Sequence, residues 1–492
     1  RWVADSLGSI GHVTALSISG DVDPYGRTDH ADITIYGTSG TKVTKGDSFM
    51  SLVNSGLSSE GRDKSEQILS TLYFVPNFSL PDNRVHQDYD NLLPAGWIGT
   101  ESRDDFGTAT VAADFNGDNA LDFTVGVSGE NIGSISDAGL IHTIYGGNGG
   151  IGVNETIYQG EDGWPGVPES GDEFGAALTS ADFNGDGFDD LAVGSPGDEI
   201  GGFDNAGMVT VAYGSVTGLG NQQIFHQNTG GIGGAAAAGD RFGSSLATGD
   251  INADGFDDLI IGVPGEYRCW PRVCGAVGGI NIIYGSANGL TSANDHYFTQ
   301  NSRGIGGISA VGDQFGASVA SGDIDNDGFD DVIIGVPGDY RCWRRVCGAV
   351  GAINIMYGTG NGLSAANDHY FTQNSSGVDG VSGVGDEFGA FVTTSDINDD
   401  GFSDVIIGTP GERISSRNNA GAVHVLYGTN NGTTTANDTF LYVSQSLFTG
   451  SSQSNARFGT SVTVIDNDLI IGAPGTTING ATGAGAIYYH TN

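Results

Sequence analysis

Five nine-residue stretches of the chain repeat one arrangement of oxygen-bearing side chains: DFNGDNALD (114–122), DFNGDGFDD (182–190), DINADGFDD (250–258), DIDNDGFDD (323–331) and DINDDGFSD (396–404). Positions 1, 3, 5 and 9 are Asp114, Asn116, Asp118 and Asp122 in the first; Asp182, Asn184, Asp186 and Asp190 in the second; and Asp250, Asn252, Asp254 and Asp258 in the third. The fourth has Asp323, Asp325, Asp327 and Asp331, and the fifth Asp396, Asn398, Asp400 and Asp404. Position 7 (Ala120, Phe188, Phe256, Phe329, Phe402) can add a backbone carbonyl. Together these approach the six or more hard oxygen ligands of calcium, whereas magnesium prefers a tighter octahedron with retained water. Glycine at position 6 of four loops lets the chain turn back around an ion at positive φ, and Asn119 takes that place in the first. Five copies in one register argue against mere solvated turns, so we expect about five calcium ions. Their ten charges would bring the formal net charge from -41 to -31. A looser set, Asp21, Asp23, Asp29 and Asp32, has its spacing spoiled by an insertion and is left unassigned.

A second chemistry lies in EYRCWPRVCGA (266–276) and DYRCWRRVCGA (339–349). Tyr267, Arg268, Trp270 and Arg272, with Tyr340, Arg341, Trp343, Arg344 and Arg345, make a local basic and aromatic patch on a chain with only 18 Lys and Arg against 59 Asp and Glu. Guanidinium groups suit carboxylate or sulfate, and indole faces suit apolar sugar surfaces. The competing reading is that the arginines pair with nearby acids while the tryptophans pack between structural units. Cys269 with Cys274, and Cys342 with Cys347, have spacing for two small loop disulfides in an oxidising compartment; free thiols and a shared zinc site are the alternatives. His296 with Tyr297 and His369 with Tyr370 have the side chains for acid/base catalysis, but they fall in duplicated outer-strand segments and are read as structural.

An internal repeat must position these groups. Phe-Gly recurs at Phe106, Phe174, Phe242, Phe315, Phe388 and Phe458, at intervals of 68, 68, 73, 73 and 70 residues. After each comes a strand-like stretch, an acidic loop, an apolar run ending in Gly-x-Pro-Gly or a variant, a variable loop and a third run such as AINIMYG. Each repeat therefore reads as one four-stranded antiparallel sheet. Residues 10–40 follow the same order with a swollen loop, and 67–75 would supply their third strand. The expectation is an all-β fold, a seven-bladed β-propeller over 1–492, with a divergent first repeat (10–105), six clear repeats (106–490), and residues 1–9 as the strand that closes the last blade.

Phe-Gly, Asp-x-Asn/Asp-x-Asp-Gly-x-x-Asp, Gly-x-Pro-Gly and Ala-Gly-x-x-x-x-Tyr-Gly together resemble the FG-GAP repeat of integrin α-subunit propellers. The repeat is also seen in an integrin-like mushroom lectin, in glycosylphosphatidylinositol-specific phospholipase D and in bacterial surface proteins. The resemblance implies that the acidic hairpins lie on the face opposite the ligand surface, so that their calcium is structural and ligands meet the loops between second and third strands.

The charge excludes nucleic acid and anionic membrane surfaces as partners, and no apolar stretch approaches the roughly 20 residues that span a bilayer. There is no G-x-S-x-G, H-E-x-x-H or phosphate-binding P-loop. The expectation is a secreted or cell-surface module that binds glycan or protein ligands. A lyase or other enzyme acting on an acidic polysaccharide, and a structural component of an extracellular assembly, are the alternatives.

Overall fold

The computed structural model describes the backbone of strands Val13–Val22, Thr28–Gly37, Lys42–Val43, Ser51–Leu52 and Arg84–Val85. It also describes residues 104–491 apart from 148–153, 162, 271–272, 344–345, 446, 449 and 466. The described chain is all β and forms a propeller of four-stranded antiparallel blades. The first sheet runs Phe106–Ala113, Asp122–Val127, Leu140–Ile144, Asn154–Ile157, and the second Ala177–Ala181, Asp190–Ser195, Met208–Tyr213, Gly220–Phe225. The third is Ser245–Gly249, Asp258–Val263, Gly279–Tyr284, Thr291–Phe298, and the fourth Val319–Gly322, Asp331–Val336, Ala352–Tyr357, Ser364–Phe371. The fifth is Phe391–Ser395, Asp404–Thr409, Ala422–Tyr427, Thr434–Leu441.

Strand composition explains the order of the strands. Second strands such as Asp331–Val336 (DVIIGV) are continuous β-branched runs, buried at every residue, as a strand covered on both faces requires. Fourth strands such as Ser364–Phe371 carry mixed polar residues and are partly exposed. First strands of successive sheets pack side by side, so the small residues of the repeat line the inside and the polar strands the rim.

The blade count differs from the seven expected. The described residues form six blades, because the hairpin of Val13–Val22 and Thr28–Gly37 does not build a sheet of its own. It extends the last sheet, whose order is Lys42–Val43, Thr28–Gly37, Val13–Val22, Ala486–His490, Asp468–Ala473, Val462–Ile465. In that sheet the outer edge of Ala486–His490, like any strand edge, readily accepts another strand. Val13–Val22 takes it through Leu16 opposite Ile487 and Ser17 opposite Ala486. The closing strand expected at 1–9 and the third strand expected at 67–75 lie outside the described residues.

The core sits between sheets. Ile260, Ile280 and Ile282 of the third sheet form one cluster with Val332, Ile334 and Val336 of the fourth. The repeat motifs are the backbone seams of these contacts. The Phe315 N–H donates to the Val277 carbonyl of the preceding blade at 3.1 Å, and Phe174, Phe242, Phe388 and Phe458 donate in the same way to Ala138, Ala206, Val350 and Ala420. The five rings are fully buried. A third tie comes from the Tyr-Gly motif: the hydroxyls of Tyr145, Tyr213 and Tyr284 accept the N–H of Leu219, Leu290 and Leu363 in the next blade at 3.1, 2.7 and 3.0 Å.

Candidate functional site

Each acidic loop joins the first and second strands of one blade. The spacing makes the loop self-supporting, because short carboxylates and amides can cap nearby backbone N–H groups. The position 1 carboxylate accepts the N–H of positions 5 and 6: in the second loop Asp182 accepts from Asp186 at 3.1 Å and from Gly187 at 2.9 Å. Asp186 in turn accepts the Phe188 N–H at 3.1 Å. The other four loops repeat this pattern. Two residues per loop are left-handed, not one. Asn119 (φ 63) and Gly187, Gly255, Gly328 and Gly401 fill position 6 as expected, but position 4 also turns at positive φ, with Gly117, Gly185, Ala253 (φ 53), Asn326 (φ 55) and Asp399 (φ 58).

Position 9 ties the loop to the sheet. Asp331 is 1% exposed; its Oδ2 accepts the Ile324 N–H at 3.1 Å and its Oδ1 the Gly358 N–H at 3.0 Å, clipping the loop to the end of the third strand. Asp122, Asp190, Asp258 and Asp404 do the same. Burial raises these carboxyls from an ordinary 3.8 to about 7 for Asp122 and Asp190, about 8 for Asp258 and Asp331 and about 6 for Asp404.

In the fourth loop one carboxylate oxygen each of Asp323, Asp325 and Asp327 lie within 4.8 Å of one another. Asp325 Oδ1 is buried without a hydrogen-bond partner. An all-oxygen set with an orphaned carboxylate oxygen fits a hard divalent cation. In the other loops asparagine at position 3 supplies an amide oxygen to the same place, and Asn116, Asn184, Asn252 and Asn398 each accept the position 5 N–H at 2.8 to 3.0 Å.

The basic segments are hairpins between the second and third strands of the third and fourth blades, so in an antiparallel meander they leave the sheet at the end away from the acidic loops. Tyr267–Trp270 pairs with Val273–Ala276, with Cys269 opposite Cys274, and Tyr340–Trp343 pairs with Val346–Ala349, with Cys342 opposite Cys347. Cys342 and Cys347 form a disulfide, Cys274 is also disulfide-bonded, and no described cysteine is free. Arg268 and Arg341 do not reach out as a free cationic patch. Arg341 Nε donates to Asp339 Oδ1 at 2.7 Å and its guanidinium lies 4.8 Å over the Tyr370 ring, while Arg268 Nε meets Glu266 Oε1 at 3.2 Å and lies 4.8 Å over Tyr297. Tyr267 and Tyr340 remain about half exposed. The side chains of Trp270, Arg272, Trp343, Arg344 and Arg345 lie outside the described residues. His296 and His369 sit in the outer strands, each with Nδ1 on the hydroxyl of Tyr284 or Tyr357 at 2.8 and 2.9 Å.

The reason those arginines turn inward was not seen in the motifs. Four of the Phe-Gly pairs are preceded by a buried acid that faces a second acid 26 residues later, just after Gly-x-Pro-Gly: Asp172 with Asp198, Asp240 with Glu266, Asp313 with Asp339 and Asp386 with Glu412. The constant offset is the sequence signal that would have found them. Arg268 and Arg341 stand two residues beyond Glu266 and Asp339, and Ile200 and Ile414 take that place beside the unneutralised pairs. Burial, followed by the charges of Asp198 and Glu169, pushes Asp172 up to about 7; Gln159 Nε2 donates to Asp198 Oδ2 at 2.6 Å, and burial holds Asp198 at about 6. A folded-state pKa above the ordinary 3.8 means that unfolding releases protons between the two values, so stability falls as pH rises from about 4 to 7 and then levels. Asp172→Asn, which keeps an oxygen for the Glu169 N–H (2.6 Å in the native chain), should flatten the fall in melting temperature between roughly pH 4 and 7 at fixed calcium. An unchanged profile would remove Asp172 as the titrating group.

Residues 174–211, 242–279, 315–353 and 388–426 match the FG-GAP repeat family model. Over 170 residues the chain is 34% identical to integrin alpha-PS5 of Drosophila melanogaster, which is 34% of this chain and 15% of that protein. It is 30% identical over 208 residues to integrin alpha pat-2 of Caenorhabditis elegans (39% of this chain, 14% of that one). Over 120 residues it is 38% identical to the phosphatidylinositol-glycan-specific phospholipase D of Mus musculus (24% and 14%). The matches thus span about one seventh of these relatives' length. Among solved structures, rhamnogalacturonan lyase YesW aligns with 99% of this chain and 86% of its own at a TM-score of 0.35 and 10% identity. Bacillus licheniformis rhamnogalacturonan lyase PL11 aligns with 87% and 64% at 0.35 and 11%. At that level the likeness carries no argument. Four stretches between residues 174 and 426 thus match the FG-GAP repeat, and over about a third of its length the chain is similar to integrin alpha subunits.

Proposed function

We propose that the chain is an extracellular recognition module, a calcium-stabilised propeller whose hairpins between second and third strands meet a glycan or protein ligand. Calcium would be held by positions 1, 3, 5 and 9 of the five loops with the position 7 carbonyl, Asp114 to Asp122 through Asp396 to Asp404, and would supply charge neutralisation rather than chemistry. The chain's own residues do the rest. Positions 1 and 5 fold the loop by capping N–H groups, and position 9 ties it to the third strand.

The observation that carries the recognition reading is the pair of hairpins. They place two half-exposed tyrosines, Tyr267 and Tyr340, on strands stiffened by disulfide bonding, at the sheet end away from the acidic loops, and a rigid aromatic anchor loses little freedom on binding. Arg268 and Arg341 act there as positioning groups, held between a buried acid and a tyrosine ring, so polyanion capture would fall to Arg272, Arg344 and Arg345. Integrin homology supports an extracellular protein ligand, and among the described residues no helix is long and apolar enough to cross a membrane.

Binding to a panel of matrix proteins and acidic and neutral glycans should find a ligand whose affinity drops about ten-fold or more in Tyr267→Ala/Tyr340→Ala, with melting temperature unchanged. A ligand that binds that variant undiminished would move the site off this face. Release of unsaturated uronate from an acidic polysaccharide would instead establish the lyase alternative.

A further inference from the structure

The acidic loops are wired to one another through a position that the spacing of metal donors leaves out. Position 8 is aspartate in the second, third and fourth loops. Asp189 Oδ2 accepts the N–H of Asp114, first residue of the preceding loop, at 2.8 Å, and the Asp189 N–H returns to the Asp114 carbonyl at 3.3 Å. Asp330 and Asp250 repeat the exchange at 3.0 and 3.1 Å, and Asp257 accepts the Asp182 N–H at 3.3 Å. In the fifth loop Ser403 stands at position 8, and the link to the fourth loop there is its backbone N–H on the Asp323 carbonyl at 2.9 Å. A second tie runs in the same direction. The rings of Phe188 and Phe256 lie on Gly117 and Gly185 of the preceding loops, where a Cβ would come within 2.6 and 2.7 Å of a ring carbon.

We propose that calcium fills the first four loops as a coupled set, with Asp189, Asp257 and Asp330 as the coupling residues, and that the fifth loop fills on its own. This rests on the calcium reading above. Two physical effects give the coupling its sign. The position 1 aspartate turns its carboxylate to its own loop while its backbone is held by the next loop's position 8, so ordering one loop lowers the ordering cost of its neighbour. Ions in adjacent loops also repel, and a carboxylate between them offsets that repulsion: Asp189, Asp257 and Asp330 each reach from their own loop to the first residue of the preceding one. Position 8 donates nothing to the ion; it is a positioning residue for two sites at once.

Calorimetric titration of the calcium-stripped chain tests this. The expected isotherm has a cooperative phase for four equivalents, with each step about five-fold or more tighter than independent sites would give, and a separate phase for one. Asp257→Asn keeps an oxygen for the Asp182 N–H but removes the charge, and should weaken the cooperativity; Asp257→Ala removes both and should split the set. Ser403→Asp is the complementary gain, and should draw the fifth equivalent into the cooperative phase even where the alanine variant fails to fold. Five independent equivalents in the native chain would overturn the coupling and leave the calcium reading intact. An absence of calcium binding would overturn both, and native cooperativity retained in Asp257→Ala would remove position 8 from the mechanism.

Discussion

Excess chelator should lower the midpoint of thermal unfolding by roughly 15 °C, and restored calcium should recover it. Each site held at about 100-fold above its dissociation constant contributes about 2.7 kcal/mol, so five contribute about 13 kcal/mol, against an unfolding entropy near 0.8 kcal/mol per degree for the roughly 390 described residues. The structural reason is crowding. Asp323, Asp325 and Asp327 bring three carboxylates within 4.8 Å, a cost that backbone N–H donors offset only in part, since Asp325 Oδ1 has none. Burial of Asp325 also pushes its carboxyl above the ordinary range. Differential scanning calorimetry with and without chelator measures the effect; a midpoint that does not move would show that the loops stand on their hydrogen bonds alone. Magnesium should recover less of the loss than calcium, because these loops provide more oxygens than a partly hydrated magnesium uses.

The second large effect belongs to a residue with no chemistry of its own. Gly335→Ala should destabilise the fold by about 3 kcal/mol or more, at the upper end of overpacking costs. A Cβ at Gly335 would lie 2.1 Å from the carbonyl oxygen of Gly389, the Phe-Gly glycine of the next blade. Neither backbone can retreat, because the Gly389 N–H is itself bonded to the Gly408 carbonyl at 3.2 Å. Gly126, Gly194, Gly262 and Gly408 meet Gly175, Gly243, Gly316 and Gly459 at 2.0 to 2.2 Å in the same way. Gly312 is the control: it has positive φ but nothing within 4 Å of its would-be Cβ, so Gly312→Ala should cost only the left-handed penalty of about 1 to 2 kcal/mol. Denaturant unfolding of the two variants compares them, and equal losses would mean that the interblade approach is not what fixes Gly335.

These seams show how far the repeat could be read. Phe-Gly, Gly-x-Pro-Gly and Tyr-Gly were legible as punctuation of a four-stranded blade, since a period of about 70 residues with β-branched runs leaves few other architectures. What each motif touches was not legible, because every partner lies in the next blade: Phe315 on Val277, Gly335 on Gly389, Tyr284 on Leu363. The acidic loops were legible as turns between the first and second strands, because a nine-residue loop folds on itself and most of its donors and acceptors are local in sequence. Position 8 escaped that reading since its partner is 75 to 80 residues away.

The sequence alone therefore determined the blade, the acidic loop and the all-β class, each a matter of local spacing and period. Tertiary structure decided the count and the charge pairing. Among the described residues there are six blades rather than seven, because Val13–Val22 pairs with Ala486–His490 and extends the last sheet. The arginines of the basic hairpins are another case. In sequence Arg268 and Arg341 are cations on an acidic chain, free either to meet a ligand or to pair with nearby acids. In the fold the buried pairs Asp240 with Glu266 and Asp313 with Asp339 lie directly beneath them, and two carboxylates removed from water hold the nearest guanidinium more strongly than solvent does.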